Sequence, residues 1–120
     1  MARELVVKVT CGTDAPERAN QGFTVAATAA ASGAAVSLWL TGEGAWLAVP
    51  GRAAELVLPL ATPLPDLLAS ILELGSVTVC SQCAARREIG EADLLSGVRI
   101  AGAPVFVEEA LREGAQALVY

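Results

Sequence analysis

Five short apolar runs alternate along the chain with segments of helical character. The runs are rich in aliphatic residues and occupy residues 5–9, 35–40, 76–79, 98–100 and 117–120. Longer segments with helical spacing fall between them at residues 17–32, 62–74 and 104–112. Apolar strands that alternate with helices predict βαβ units and a mostly parallel sheet covered on both faces. We therefore expect a single domain over residues 1–120, an α/β fold built as a three-layer α/β/α sandwich of about five mostly parallel strands.

Helix boundaries are marked by the usual start and stop residues. Pro16 opens the first predicted helix, with Thr13 or Asp14 as its N-cap and Gly33 as its stop. The second predicted helix begins near Pro63 and ends at Gly75. Residues 41–44 are predicted as a loop, residues 45–49 as a helical turn and residues 84–88 as a further short helix.

The overall charge and hydropathy limit the classes of partner. The chain is 54% hydrophobic and carries a net charge of −5, with Lys8 as its single lysine. Nucleic acid is not expected as a partner, because phosphate binding needs clustered positive charge. A membrane is not expected either, since no apolar stretch is long enough to span one. The apolar excess instead predicts a homo-oligomer that covers exposed apolar surface.

Cys80 and Cys83 stand at CxxC spacing directly after the third apolar run, in a chain without histidine. The N-terminus leads from Met1 straight into a strand pattern, so we expect no signal peptide and a cytoplasmic protein. Thiols stay reduced in that compartment. The pair is therefore predicted to be redox-active, sulfur-carrying or metal-binding rather than a structural disulfide.

The position of Cys80 favours an activated thiol. It falls at a strand end, a possible helical turn follows, and Arg86 and Arg87 are within one or two turns. A helix N-terminus or a nearby positive charge lowers the pKa of a thiol, and the thiolate is the nucleophile. The plainer alternative is that both cysteines are small buried apolar residues.

A zinc site is a weaker alternative. It would need four ligands, and within one chain these would include Cys11 and a carboxylate such as Asp93, unless an oligomer shared the site. The glycine-containing loops at residues 12–14 and 41–44 do not match a nucleotide-binding motif. We therefore expect neither a metal nor a cofactor.

Cys11 also falls at a predicted strand end, on the same edge of a parallel sheet as Cys80. A disulfide between them would require Cα atoms within about 7 Å and therefore adjacent or nearly adjacent strands. The sequence does not give the strand order. The alternative is that Cys11 is a small apolar turn residue.

The order and spacing of these features resemble the DsrE/DsrF-like family of small sulfur-relay proteins, which includes the TusD-type subunits. The resemblance covers nearly the whole chain. It is carried by residues 12–19 after the first strand, the turn at Gly33 into residues 36–40, the loop 42–44, the helix with Leu67 and Leu68, Gly75, residues 79–83 and residues 94–98.

The resemblance implies a five-stranded, largely parallel sheet and assembly into trimers or hexamers. It also implies a persulfide on Cys80, with Cys83 as an accessory or resolving thiol, and protein partners that donate and accept sulfur. In the family the first and third strands are not neighbours, which implies no Cys11–Cys80 disulfide. The leading hypothesis is thus a sulfur carrier or sulfurtransferase-like protein. The alternatives are a Cys80/Cys83 dithiol oxidoreductase and a non-enzymatic oligomeric binding protein.

Overall fold

The computed structural model describes residues 3–120 and contains one five-stranded sheet. Met1 and Ala2, on which the expectation of a missing signal peptide partly rests, lie outside the described residues. The strands are β1 (Glu4–Val9), β2 (Ala35–Leu40), β3 (Ser76–Cys80), β4 (Arg99–Ala101) and β5 (Gln116–Val119). Their order in the sheet is β4-β3-β2-β1-β5, and every pairing is parallel.

Four α-helices connect the strands: α1 (Pro16–Ala31), α2 (Leu64–Leu74), α3 (Ser81–Arg86) and α4 (Ala103–Ala110). Helices α1 and α2 pack against each other and against strands β1 to β3. Helix α4 reaches the sheet through Glu109, which accepts hydrogen bonds from Ser37 and Trp39. Ser37 and Trp39 alternate along β2 with the core residue Leu38, so α4 covers the opposite face. The three-layer α/β/α prediction is therefore confirmed.

The main core lies between the sheet and the pair α1 and α2. Its largest fully buried members there are Phe23 of α1, Ile71 and Leu64 of α2, and the aliphatic residues of the central strands. In α2 the buried residues Leu64, Leu68 and Ile71 recur at helical spacing, which is why this segment forms an amphipathic helix. Burial of each large aliphatic side chain stabilises the fold by about 1.5–3 kcal/mol before the entropy cost of ordering it.

Gly75 is the C-cap residue of α2, at a point where the chain passes too close to β2 for a side chain. A Cβ atom at this position would lie 2.5 Å from the carbonyl oxygen of Val36. The glycine therefore allows the chain to turn directly from α2 into β3, which carries Cys80 at its end.

Local expectations at the starts of two helices are wrong in detail. The N-cap of α1 is Ala15, which makes no capping hydrogen bond. The carboxylate of Asp14 instead accepts the backbone N–H of Gly12 at 2.8 Å and closes the preceding turn. The short helix expected at residues 84–88 is α3, which begins at Ser81 and therefore follows Cys80 without a break.

Residues 42–48, expected as a loop followed by a helical turn, form a 3₁₀ helix from Gly42 to Ala48. Its buried residues Ala45, Leu47 and Ala48 belong to the main core. Within residues 3–120, no helix is both long enough and apolar enough to cross a membrane.

Candidate thiol site

Cys80 is the last residue of β3 and the N-cap residue of α3. The parallel register places Thr78 of β3 beside Trp39 of β2, and Trp39 beside Lys8 of β1. Cys80 is two residues beyond Thr78, so it lies on the same face of the sheet as Lys8. Its side chain is partly exposed at the carboxyl edge of the sheet, whereas those of Cys11 and Cys83 are buried.

The surroundings of Cys80 favour its thiolate. Burial alone would raise the pKa of this thiol, but several donors and one charge together lower its pKa below the ordinary value. They are the backbone N–H and the thiol of Cys83, the backbone N–H of Gln82 and the positive charge of Lys8. In the structure its side chain forms no capping hydrogen bond. Because a thiolate is the stronger acceptor, these donors stabilise the ionised form preferentially.

Cys83 lies beneath Cys80 in the first turn of α3 and is only 9% exposed. The backbone N–H of Gly42 donates a hydrogen bond of 3.1 Å to its Sγ. Strands β2 and β3 are adjacent and parallel, so the segment after one meets the helix after the other at this edge. The structure thus places the two predicted residues, Cys80 and Cys83, at the start of one helix. It also places beside them the segment after β2, through Gly42.

The 3₁₀ helix after β2 is fixed to α3 by a second set of contacts. Arg87 donates from Nε to the carboxylate of Glu43 at 2.8 Å and from Nη1 to the carbonyl of Cys83 at 3.1 Å. Arg87 is therefore engaged in holding the 3₁₀ helix, and Arg86 is exposed. Neither arginine is among the groups that lower the pKa of Cys80, and the positive charge that lowers it is on Lys8.

Gly42 is required at its position for two reasons. Its φ angle is +54°, in the left-handed region that disfavours residues with a side chain. A Cβ atom there would also lie 2.6 Å from the carbonyl oxygen of Thr10. The glycine lets its N–H approach Cys83.

Cys11 is buried, and burial raises the pKa of its thiol despite the charge of Arg18. Strand β2 separates β1 from β3, so the strand that precedes Cys11 does not adjoin the strand that carries Cys80. All three cysteines are free, and no Cys11–Cys80 disulfide is present. Cys11 belongs to the core cluster, in agreement with its interpretation as a small apolar residue.

Zinc ligands do not converge in the described part of the chain. No group of three cysteine, aspartate or glutamate residues within residues 3–120 could hold a metal ion. Asp93, the carboxylate considered for zinc, instead accepts the backbone N–H of Gly90 at 2.8 Å in its own turn. The zinc alternative therefore lacks its ligand set in this structure.

Lys8 and Glu109 are two charged residues of importance that sequence reasoning missed. Lys8 stands between Val7 and Val9 in a buried strand, and its Nζ lies 4.2 Å from the ring centroid of Phe106 in α4. A single lysine inside an apolar strand is the signal that could have identified it. Its ammonium group therefore lies between α4 and the sheet, on the face of the sheet that also carries Cys80.

Glu109 anchors α4 to the sheet. Its carboxylate accepts hydrogen bonds from Ser37 at 2.6 Å and from the indole of Trp39 at 3.0 Å, and it pairs with Arg99. Burial opposes its ionisation, but these three partners lower the pKa of the carboxyl below the ordinary value. No local pattern marks this glutamate, because its partners come from other elements.

Fold and site together define a class of protein: a small parallel α/β domain with a partly exposed, easily ionised thiol at a strand end. The chain belongs to the DsrE/DsrF-like family, whose family model matches residues 4–120. A curated relative is MJ0760 of Methanocaldococcus jannaschii, described as uncharacterized and 35% identical over 105 residues. The match covers 87% of this chain but only 38% of the length of that relative.

Two solved structures share the fold. The ychN protein from E. coli superposes with a TM-score of 0.80 at 16% sequence identity, with all of both chains covered. The protein of unknown function MTH1491 from Methanobacterium thermoautotrophicum gives a TM-score of 0.74 at 11% identity, over 98% of this chain and 99% of that one. At these identities the similarity concerns the fold alone.

Proposed function

We propose that the protein is a carrier of sulfane sulfur, which it holds as a persulfide on Cys80. The observation that carries the proposal is the contrast among the three thiols. Cys80 is accessible and has a lowered pKa, Cys83 is buried beneath it, and Cys11 is buried in the core with a raised pKa. Membership of the DsrE/DsrF-like family is consistent with a role of sulfur-relay type.

The chemistry requires one nucleophilic thiolate. The Cys80 thiolate attacks the terminal sulfur of a donor persulfide, R–S–SH. The S–S bond of the donor breaks, RS⁻ leaves and Cys80–S–SH forms. In the second step an acceptor thiolate attacks the outer sulfur and Cys80 leaves as a thiolate. The donors around Cys80 support both steps, because a thiol of lower pKa is more ionised near neutral pH and is a better leaving group.

Proteins that donate and accept sulfur are the partners this proposal implies, and the cytoplasm is the compartment in which Cys80 would stay reduced. We further propose that copies of the chain associate with one another, as a trimer or a hexamer. Self-association is supported by the outer edge of β5, which pairs with no further strand among residues 3–120. It is also supported by the exposed apolar side chains nearby in sequence: Val107, Leu111 and Val119.

Sulfur loading tests the carrier function. The protein is incubated anaerobically with cysteine and a cysteine desulfurase, and its intact mass and peptides are measured. Cys80 is expected to accept sulfur, whereas a Cys80→Ser variant is not, and a Cys11→Ser variant is expected to load normally. If a known carrier loads in the same reaction and Cys80 does not react with the delivered sulfur, the carrier function is refuted.

A second candidate function is a dithiol oxidoreductase, in which Cys80 attacks a disulfide substrate and Cys83 resolves the mixed disulfide. The position of Cys83 in the first turn of the helix that Cys80 caps is the observation that favours it. This function predicts disulfide reductase activity that disappears in Cys83→Ser. The third alternative, a binding protein with incidental cysteines, predicts that native Cys80 resists alkylation.

A further inference from the structure

Cys83 is placed to react with whatever Cys80 carries. Residues three apart at a helix start have Cα atoms about 5 Å apart. A disulfide joins residues whose Cα atoms are about 4.4–6.8 Å apart. Cys80 caps α3 and Cys83 lies in the first turn of that helix, so the two thiols occupy positions three residues apart at one helix start. The two sulfurs can therefore be bridged with little movement of the backbone.

Cys83 is shielded from partners outside the chain. Only 9% of the residue is exposed, its sulfur accepts the N–H of Gly42, and Arg87 holds its carbonyl. A protein thiol or disulfide can approach the partly exposed Cys80 but not the sulfur beneath it. The reaction partner that the structure offers to Cys83 is thus the sulfur on Cys80.

We propose that Cys83 discharges the Cys80 persulfide as sulfide when no acceptor removes the sulfur. This inference rests on the proposed carrier function, because it starts from the persulfide. Cys83 attacks the inner sulfur, the Sγ of Cys80, and the outer sulfur leaves as hydrosulfide with the proton of the Cys83 thiol. The balance is Cys80–S–SH plus Cys83–SH giving Cys80–S–S–Cys83 plus H₂S.

The step is a two-electron reduction of the outer sulfur, and the two cysteine sulfurs are oxidised to the disulfide. No external oxidant or reductant takes part in it. The dithiol is restored when two low-molecular-weight thiols reduce the disulfide, with attack at the accessible Cys80 sulfur. The protein would thereby convert sulfane sulfur to sulfide, so a sulfide-consuming reaction would be required to use its product.

The experiment compares the wild type with Cys83→Ser and Cys11→Ser. Each is loaded anaerobically with a cysteine desulfurase and a limiting amount of cysteine. Intact mass and released sulfide are then followed over time. The wild type and Cys11→Ser are expected to lose two hydrogens, as the disulfide forms, and to release sulfide in proportion to the sulfur delivered. Cys83→Ser is expected to keep its persulfide on the order of a hundredfold longer, because it lacks the intramolecular attack.

The failures of the two proposals are distinguishable. If Cys83→Ser accepts sulfur and the wild type keeps its persulfide equally long, discharge is refuted while the carrier function stands. If the wild type forms the disulfide without releasing sulfide, discharge is also refuted. If no variant accepts sulfur, the carrier function itself fails and the inference fails with it. If serine at this position impairs folding, Cys83→Ala provides a second variant. Disulfide formation with release of sulfide in the wild type decides the question without either variant.

Discussion

The backbone N–H of Gly42 donates a hydrogen bond of 3.1 Å to the Sγ of Cys83. This contact joins the 3₁₀ helix that follows β2 to the α-helix that follows β3. Both begin at the carboxyl edge of the sheet because the two strands are parallel neighbours. It holds the buried second cysteine of the CxxC pair in place, whereas the first, Cys80, stays partly exposed to incoming sulfur compounds.

Cys80 should be the most reactive thiol of the native protein. The hydrogen bonds and the Lys8 charge that lower its pKa keep it ionised at lower pH than a thiol in the unfolded chain. The rate of its alkylation by iodoacetamide can be measured by peptide mass spectrometry as a function of pH. In the native protein this rate should reach half its maximum at a lower pH than in the chain unfolded by urea. Cys11, whose pKa is raised by burial, should react slowly and at higher pH. Equal rates for the two native thiols would contradict this reading of the site.

Lys8→Met should slow alkylation of Cys80 near neutral pH and move its pH profile upward. The substitution removes the positive charge that favours the thiolate. The decrease should be less than about tenfold, because partly exposed charges interact weakly and several hydrogen bonds remain. Lys8→Arg is the matched control, since it keeps the charge, and it should retain most of the reactivity. An unchanged profile in Lys8→Met would remove Lys8 from the site.

Gly42→Ala should destabilise the protein by about 2–4 kcal/mol, because it combines a left-handed backbone with a close contact to Thr10. Gly51→Ala is the matched control. Gly51 also has a positive φ, of +84°, but no atom lies within 4 Å of its added Cβ. Gly51→Ala should therefore lower the free energy of unfolding by only about 1–2 kcal/mol. Urea unfolding measures the free energy of unfolding of both variants. Equal decreases would show that the contact with Thr10 is relieved by a small shift of the backbone.

Glu109→Gln should destabilise the protein by about 1–3 kcal/mol, since it weakens the hydrogen bonds that tie α4 to the sheet. The folded-state pKa of Glu109 lies below the unfolded value of about 4.3. Its ionised form therefore contributes stability above that pH, and the contribution is lost as the pH falls through the folded pKa.

The control for Glu109→Gln is Glu108→Gln, at an exposed neighbouring position. Thermal unfolding between pH 3 and 7 should show a smaller acid dependence for Glu109→Gln than for the wild type, and an unchanged one for Glu108→Gln. Identical pH profiles for the two variants would show that Glu109 has no special role in acid stability.

Self-association through the β5 edge should weaken in Val119→Lys. Val119 is 63% exposed on an edge strand, and a lysine there discourages both apolar contact and strand pairing. Light scattering during size-exclusion chromatography should show a smaller average mass than for the wild type. Val57→Lys alters an equally apolar side chain that is 80% exposed elsewhere, and it should leave the mass unchanged. A monomeric wild type would refute the oligomer proposal.

Much of the fold follows from local patterns in the sequence. β2 was predicted at its observed bounds, and α1 to within a residue or two, because aliphatic runs and the spacing between Pro16 and Gly33 are strong local signals. The N-cap of α1 was mispredicted because Asp14 uses its carboxylate in the turn at Gly12 instead. The start of α3 was placed too late, since Ser81 and Gln82 carry no helix signal of their own.

The sequence by itself determined the alternation of strands and helices, the parallel class of sheet and the position of Cys80 at a strand end. These depend on hydrophobic period and on neighbours along the chain. Only the tertiary structure decided that β2 separates Cys11 from Cys80, that Lys8 supplies the charge, and that Gly42 holds Cys83. The hydrogen bonds concerned join residues about 40 to 70 positions apart in the sequence. Neither these contacts nor the strand order are encoded by local propensity, because both form only when the whole sheet packs.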